Sequence, residues 1–167
     1  GLPSSGYALV RGVFFPQAGW ELDRDVPELG RPLGEELLEP TRIYAKACLE
    51  LADATGVHAM SHVTGGGVAA NLERVMPSHL SARIDRATWT PQPIFDLVRQ
   101  VGKVPQPDLE ATLNCGVGMV ALTPASDVDR SIEVLAGYGM NAWAAGEVLA
   151  DEARGGKVVL EGQHPGW

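Results

Sequence analysis

Apolar side chains recur along the chain at the three- and four-residue spacing of amphipathic helices. The first such set is Tyr7, Val10 and Phe14, and a second set is Ile43, Ala47 and Leu51. The first set predicts a helix that begins at a serine cap and ends near Phe15. The second predicts a helix that begins near Pro40, a residue tolerated in a first turn, and stops at Gly56.

The remainder of the chain alternates between short apolar runs and further helical patterns. It predicts strands over residues 58–63, 82–86, 117–123, 142–148 and 157–160, and helices over residues 68–75, 94–101, 108–113 and 125–136. Helices interspersed with strands are typical of the α/β class, so we expect an α/β sandwich with a mixed sheet.

Two segments have no such pattern. Residues 16–34 are rich in glycine, proline and acidic side chains, and they are too long for an ordinary connection. They are expected to form a solvated linker or a mobile flap. Residues 163–167 are expected to be a loose tail.

The composition limits the number of domains and the classes of function that the chain can have. A chain of 167 residues that is 45% hydrophobic is sufficient for one domain, which we place at residues 1–167. The formal net charge of −8 opposes a nucleic-acid surface. No apolar run is long enough for a membrane span and the first residues lack a signal peptide's charged start, so a cytoplasmic location is expected. Cys48 and Cys115 are far apart and are expected to be buried free thiols.

Two glycine-bearing loops, residues 1–7 and 62–67, stand directly before predicted helices. The first turn of a helix has free N–H groups and a positive dipole end, so such loops favour a phosphorylated ligand. The candidate binding residues are Ser4, Ser5 and Gly6 in the first loop and Thr64, Gly65, Gly66 and Gly67 in the second. The second loop matches neither GxxxxGK nor GxGxxG, and a plain strand-to-helix turn is the alternative.

His62 is the candidate catalytic residue, because it ends a predicted strand where a glycine turn opens and its imidazole can transfer a proton near neutral pH. A histidine bonded to its own turn is the alternative. His58 lies four residues earlier, but without a glutamate and a helix the pair does not predict a zinc site, and we predict no metal ligands. Asn114 is a candidate ligand for an amide or a ribose hydroxyl, or else a turn residue.

Two charged residues and two glycines also have competing interpretations. Arg42 is a candidate for a phosphate or carboxylate, with an ion pair to Glu39 or Glu36 as the favoured alternative. Glu147 is a candidate to face a ligand cleft, with an exposed strand carboxylate as the favoured alternative. Gly116 and Gly118 are expected to permit close backbone packing.

The four segments 1–7, 39–44 (EPTRIY), 62–67 (HVTGGG) and 114–119 (NCGVGM) together resemble the C-terminal half of the phosphoribosylformylglycinamidine cyclo-ligase, or AIR synthetase, family. They occur in the family's order. Relatives in the wider superfamily usually have an Asp-rich second loop, so HVTGGG favours the cyclo-ligase. The first loop departs from the family pattern at two positions, with Pro3 in place of histidine and Ser5 in place of asparagine.

The resemblance implies a three-layer, partly ferredoxin-like fold and the ATP-dependent closure of formylglycinamidine ribonucleotide to aminoimidazole ribonucleotide. It implies ATP and Mg²⁺ as cofactors of the full-length enzyme, neither bound tightly by this part, and a homodimer when full length. Because the chain begins at Gly1 inside a family motif, we expect its partner to be its own ATP-binding N-terminal domain and the chain alone to be inactive. The alternatives are an inert phosphate-binding or regulatory module, or another ATP-dependent member of the superfamily.

Overall fold

The computed structural model describes Leu2 and residues 6–167. Seven α-helices are found there: α1 (Tyr7–Gly12), α2 (Leu33–Leu37), α3 (Ala45–Ala54), α4 (Gly67–Glu73), α5 (Pro93–Val101), α6 (Gln106–Thr112) and α7 (Val128–Ala136). A π-helical turn, Val13–Gln17, continues α1. No helix in this part of the chain has the length and apolar character needed to cross a membrane.

The strands are β1 (Asp25–Val26), β2 (Arg31–Pro32), β3 (Ala59–His62), β4 (Leu80–Asp85), β5 (Met119–Leu122), β6 (Gly146–Ala150) and β7 (Val158–Glu161). They pair in three small sheets. β4 is central in the largest, antiparallel to β6 and parallel to β7, with Ile84 opposite both Gly146 and Leu160. β3 pairs antiparallel with β5, and β1 with β2. The predicted α/β class with a mixed sheet is confirmed.

Two hydrophobic cores hold these elements together. In the first, Phe14 and Leu33 pack with Phe95 and Leu109 of α5 and α6. In α5 the buried positions are Ile94, Phe95, Leu97 and Val98, the one-sided pattern of an amphipathic helix. The second core lies between α4 and the sheets and includes Val63, Leu72, Ile84 and Trp89.

Residues 16–34 are not a solvated linker, so that expectation is wrong. They contain the β1–β2 hairpin and the start of α2, and Val26 and Leu33 are only 2% and 0% exposed. Gly30, at φ 70°, allows the hairpin turn. Burial of these apolar side chains against the first core holds the segment in place.

The second predicted helix begins at Ala45 rather than near Pro40. Residues 39–44 have no regular structure, and two of their side chains contact distant parts of the chain. Arg42 donates to the carbonyl of Gly139, and Tyr44 packs on the backbone at Gly118.

The expected strand over residues 142–148 is displaced toward the C-terminus and starts at Gly146. A β-carbon on that glycine would overlap the carbonyl of Arg83 in β4. A side chain at this position would prevent the close approach of the two backbones.

The C-terminal segment is packed rather than loose, which corrects the second expectation for unpatterned residues. His164 is 2% exposed, and its ring lies between those of Trp89 and Trp167, with centroids 4.5 and 4.7 Å away. Trp167 also lies beneath the guanidinium of Arg99 at 4.8 Å. Since Trp89 belongs to the second core and Trp167 contacts the first, this segment joins the two.

Candidate functional site

A large open cleft of about 1500 Å³ is bordered by the end of β3, the start of β5, the residues before α3 and one side of α7. It is larger than the roughly 300–1,000 Å³ typical of small-ligand sites. Among the sequence candidates, His62 and Asn114 line it, and Arg42 and Glu147 also border it. The glycine loop 64–67 and Gly6 are not part of the lining.

His62 occupies the last position of β3, as the sequence predicts. Its backbone pairs with Met119 of β5, and the next N–H, that of Val63, donates to the carbonyl of Gly118 at 2.9 Å. These bonds fix the backbone while the side chain stays exposed. The imidazole is thus presented to the cleft from a rigid strand.

Tyr44 is the nearest aromatic neighbour of that imidazole. The two ring centroids are 5.8 Å apart and the planes are tilted by 57°. A β-carbon on Gly118 would overlap the phenolic oxygen of Tyr44, which confirms the prediction of close packing at this glycine. Burial raises the pKa of the Tyr44 phenol, and the charge of Arg42 opposes that rise. Tyr44 was not among the candidate residues, although it ends the EPTRIY segment.

Asn114 supports the turn interpretation and still borders the cleft. Its side-chain oxygen accepts the N–H of Gly116 at 3.0 Å, and its carbonyl accepts the N–H of Val117 at 3.0 Å. The side-chain oxygen is therefore committed to the turn. Its amide nitrogen makes no hydrogen bond within Leu2 and residues 6–167, so ligand binding by this group stays a prediction.

The loop of residues 64–67 is organised by Asn71, a buried side chain of α4 that was not among the sequence candidates. Its amide nitrogen donates to the carbonyls of Thr64, Gly65 and Gly67 at 3.2, 3.2 and 2.7 Å. Its oxygen accepts the Thr64 hydroxyl at 3.1 Å. A polar residue on the apolar face of a predicted helix was the available signal for this role.

Packing also explains two of the loop's glycines. Gly66 and Gly67 have φ values of 98° and 77°, and a β-carbon on Gly67 would overlap the carbonyl of Glu110 in α6. The tight turn is thus required by the fold. Ligand binding by this loop stays a prediction.

In the first loop, Ser4 and Ser5 lie outside the described residues. Gly6 is buried and precedes α1, which has six residues. The anion site predicted there also stays a prediction.

The ion pairs around the cleft differ from those expected. Arg31, rather than Arg42, binds both Glu36 and Glu39, through contacts of 2.6 and 2.8 Å. Glu147 is an exposed strand carboxylate, as predicted, and it pairs with Arg83. Arg31 was missed because the pairing depends on the β1–β2 hairpin, which the sequence did not reveal.

The prediction of two buried free thiols is confirmed in part. Both are free; Cys115 is buried and Cys48 is half-buried. Burial raises the pKa of the Cys115 thiol to about 12, so this sulfur is not a nucleophile near neutral pH. The carbonyl of Cys115 accepts the indole N–H of Trp89 at 3.0 Å, which fixes one wall of the cleft.

Metal binding depends on whether suitable side chains converge. Within the described ranges, no group of three histidine, cysteine, aspartate or glutamate side chains is arranged to hold a metal ion. The described side chains therefore do not fit a Mg²⁺ site.

The comparisons with known proteins agree with the sequence resemblance. Residues 1–159 match the family described as AIR synthase related protein, C-terminal domain. A Streptomyces fradiae protein provisionally named phosphoribosylformylglycinamidine cyclo-ligase is 54% identical over 98% of this chain and 92% of its own length. Enzymes of the same name from Thermoanaerobacter sp. and Syntrophotalea carbinolica are each 38% identical over 96% and 95% of the chain. The chain spans 46% and 45% of those two relatives, about half their length.

Proposed function

Because the chain belongs to the AIR synthase related family and matches its C-terminal domain, we propose that it is the substrate-side domain of a phosphoribosylformylglycinamidine cyclo-ligase. The proposed reaction is the ATP-dependent closure of formylglycinamidine ribonucleotide to aminoimidazole ribonucleotide in purine biosynthesis. The complete protein would act as a homodimer in the cytoplasm.

The observation that supports this role most directly is the cleft itself. Its lining includes His62, at the end of β3, and Asn114, in the turn before β5, although the two residues lie 52 positions apart in the chain. One group can transfer a proton and the other can donate an amide hydrogen bond. A ribonucleotide needs both kinds of contact, and the cleft has ample room for one.

In this proposal the chain mainly aligns the substrate. The amidine nitrogen must meet the activated formyl carbon, and holding the two in register removes an entropic part of the barrier. Asn114 orients the substrate through its amide nitrogen, and His62 exchanges the proton of the attacking nitrogen. Residues 64–67, together with Gly6, Ser4 and Ser5, remain the sequence candidates for anionic oxygens, but neither residues 64–67 nor Gly6 line the cleft.

ATP and Mg²⁺ would be bound by the part of the longer relatives that this chain does not match. Bound there, ATP would supply the phosphoryl group that makes the formyl oxygen a leaving group, and Mg²⁺ would neutralise the phosphate charge.

Amide chemical shifts during titration with formylglycinamidine ribonucleotide test the binding site. We expect shifts at His62, Asn114 and residues 64–67. A sulfate titration then separates the two loops, because movement confined to 64–67 would assign phosphate binding to the second loop and remove Ser4, Ser5 and Gly6. Absence of any shift with the ribonucleotide at saturating concentration would refute the proposed substrate.

Turnover is tested by combining the chain with the ATP-binding half of a longer relative. The chain alone should form no aminoimidazole ribonucleotide, and the mixture should form it only with ATP. Robust product from the isolated chain would refute the proposed division of labour.

The inert-module alternative has one observation in its favour: this chain covers 92% of its Streptomyces fradiae relative, which is therefore of similar length. Ribonucleotide binding without turnover in the mixture would support that alternative.

A further inference from the structure

Arg42 differs from the other cations of the cleft in its partners. Three arginines line the cleft, namely Arg31, Arg42 and Arg83, and no lysine of the described residues does. Arg31 is held by two glutamates, and Arg83 by Glu147 and Glu161. In the described part of the chain, Arg42 has no carboxylate within 4.0 Å.

The carboxylates of the lining are equally accounted for. They are Glu36, Glu39 and Glu147, and each of them binds one of the other two arginines. The cleft of a protein with a net charge of −8 therefore retains one cation that no neighbouring acid among the described residues neutralises.

The orientation of Arg42 is fixed without its charge being neutralised. One terminal nitrogen, Nη1, donates to the carbonyl of Gly139 at 3.0 Å, just beyond the C-terminal end of α7. The side chain is exposed, and its remaining N–H groups make no further bond within the described ranges. A guanidinium held at one nitrogen presents its other donors in a plane, the geometry that suits two oxygens of a phosphate.

Arg42 lies near the candidate catalytic residue His62, with Tyr44 between them in the chain of contacts. The charge of Arg42 acts on the phenol of Tyr44, and the Tyr44 ring contacts that of His62. We propose that Arg42 binds the phosphate group of the ribonucleotide in this cleft, so that the phosphate is held on the Tyr44 side of His62. This inference rests on the proposed function for the identity of the ribonucleotide, but its phosphate contact can be tested separately.

The competing explanation is that Arg42 only ties residues 39–44 to the end of α7. Arg42→Gln separates the two roles, because glutamine keeps a donor for Gly139 and loses the charge. Arg42→Lys keeps the charge and loses the planar pair of donors. Arg130→Gln is the matched control, since Arg130 is an exposed arginine of α7 whose partner is Glu133 and which does not border the cleft.

The measurement is the affinity of each variant, by calorimetry at low and moderate salt, for formylglycinamidine ribonucleotide, its dephosphorylated riboside and inorganic phosphate. Loss of a charged hydrogen bond should weaken ribonucleotide binding by about tenfold or more in Arg42→Gln and leave riboside binding unchanged. Arg42→Lys should retain part of the affinity at low salt, and Arg130→Gln all of it. Thermal melting records any purely structural effect.

Four results separate the inference from the proposed function. If the wild-type chain binds the ribonucleotide and Arg42→Gln binds it equally well, the Arg42 inference fails and the function stands. Equal losses for ribonucleotide and riboside also overturn the inference, because the phosphate is then not the group recognised. Arg42-dependent binding of inorganic phosphate without ribonucleotide binding supports the inference and refutes the proposed substrate. Binding of neither by the wild-type chain refutes both.

Discussion

The phenolic oxygen of Tyr44 occupies the space that a β-carbon on residue 118 would require. Gly118 immediately precedes β5, and its carbonyl accepts the N–H of Val63, so the tyrosine rests on the backbone that also fixes the end of β3. One glycine thereby sets the position of the ring that contacts His62.

Gly118→Ala should displace Tyr44 and weaken ribonucleotide binding. Forcing a methyl group into this contact should lower the free energy of unfolding by about 1–3 kcal/mol. Urea denaturation and ligand titration measure the two effects. Gly12→Ala is the control, because a β-carbon there would meet no atom within 4 Å and the residue occupies α1, where alanine is favoured. A Gly118→Ala protein as stable as wild type would contradict the packing.

Gly67→Ala should destabilise the fold more than Gly156→Ala. Both glycines have positive φ, 77° and 80°, so both substitutions incur backbone strain of about 1–3 kcal/mol. At Gly67 the methyl group would also overlap the carbonyl of Glu110, whereas nothing lies within 4 Å at Gly156. The difference between their unfolding free energies isolates the overlap. Equal losses would mean that α4 and α6 separate easily.

Stability should decrease as the pH falls below the ordinary pKa of histidine because of His164. Burial lowers its pKa, although its Nδ1–H donates to the carbonyls of Arg86 and Trp89 at 3.0 and 3.2 Å. Its Nε2 is buried without a partner among the described residues. Above about pH 6.5 the imidazole is neutral in both folded and unfolded chains, so its contribution is complete there. Below that pH the unfolded chain binds the proton first, and stability falls until the pH passes the lowered folded pKa.

Urea denaturation between about pH 7.5 and pH 5 measures this dependence. His164→Gln should be less stable at the higher pH by about 1–3 kcal/mol, because the carbonyls of Arg86 and Trp89 lose the ring N–H that donates to them. It should also lose part of the pH dependence that the wild-type chain shows. His79→Gln, at an exposed position, serves as control. An unchanged slope in His164→Gln would assign the dependence to other groups.

His62→Ala should reduce turnover of the complete enzyme while leaving its stability within about 0.5 kcal/mol of wild type, because the side chain is exposed. Proton transfer by a positioned side chain contributes about 10²–10⁴-fold in rate. Steady-state kinetics and denaturation give the two numbers. His58→Ala is a matched control, since His58 is exposed just before the other end of β3 and does not border the cleft. A rate change below about threefold with unchanged KM would remove His62 from catalysis.

From residue 58 onward, the order of helices and strands and the place of His62 at the end of β3 follow from the sequence alone. Periodicity reports which face of an element is apolar, and that information is local. Glycines at positions 66, 67 and 118 were likewise recognisable as sites where the backbone must turn tightly or approach another group. The four family segments, read in order, predicted the family that the comparisons then confirmed.

Only the tertiary structure decided where α3 begins, how residues 16–34 fold and what holds the C-terminal segment. Each depends on a contact between residues far apart in the chain: Tyr44 with Gly118, Leu33 with the first core, and His164 with Trp89. The free charge of Arg42 among the described residues is also a result of the tertiary structure. Glu36 and Glu39, the expected partners of Arg42, are bound by Arg31 instead. Local pattern cannot reveal these outcomes, since the free energy of a long-range contact depends on which surfaces the fold brings together.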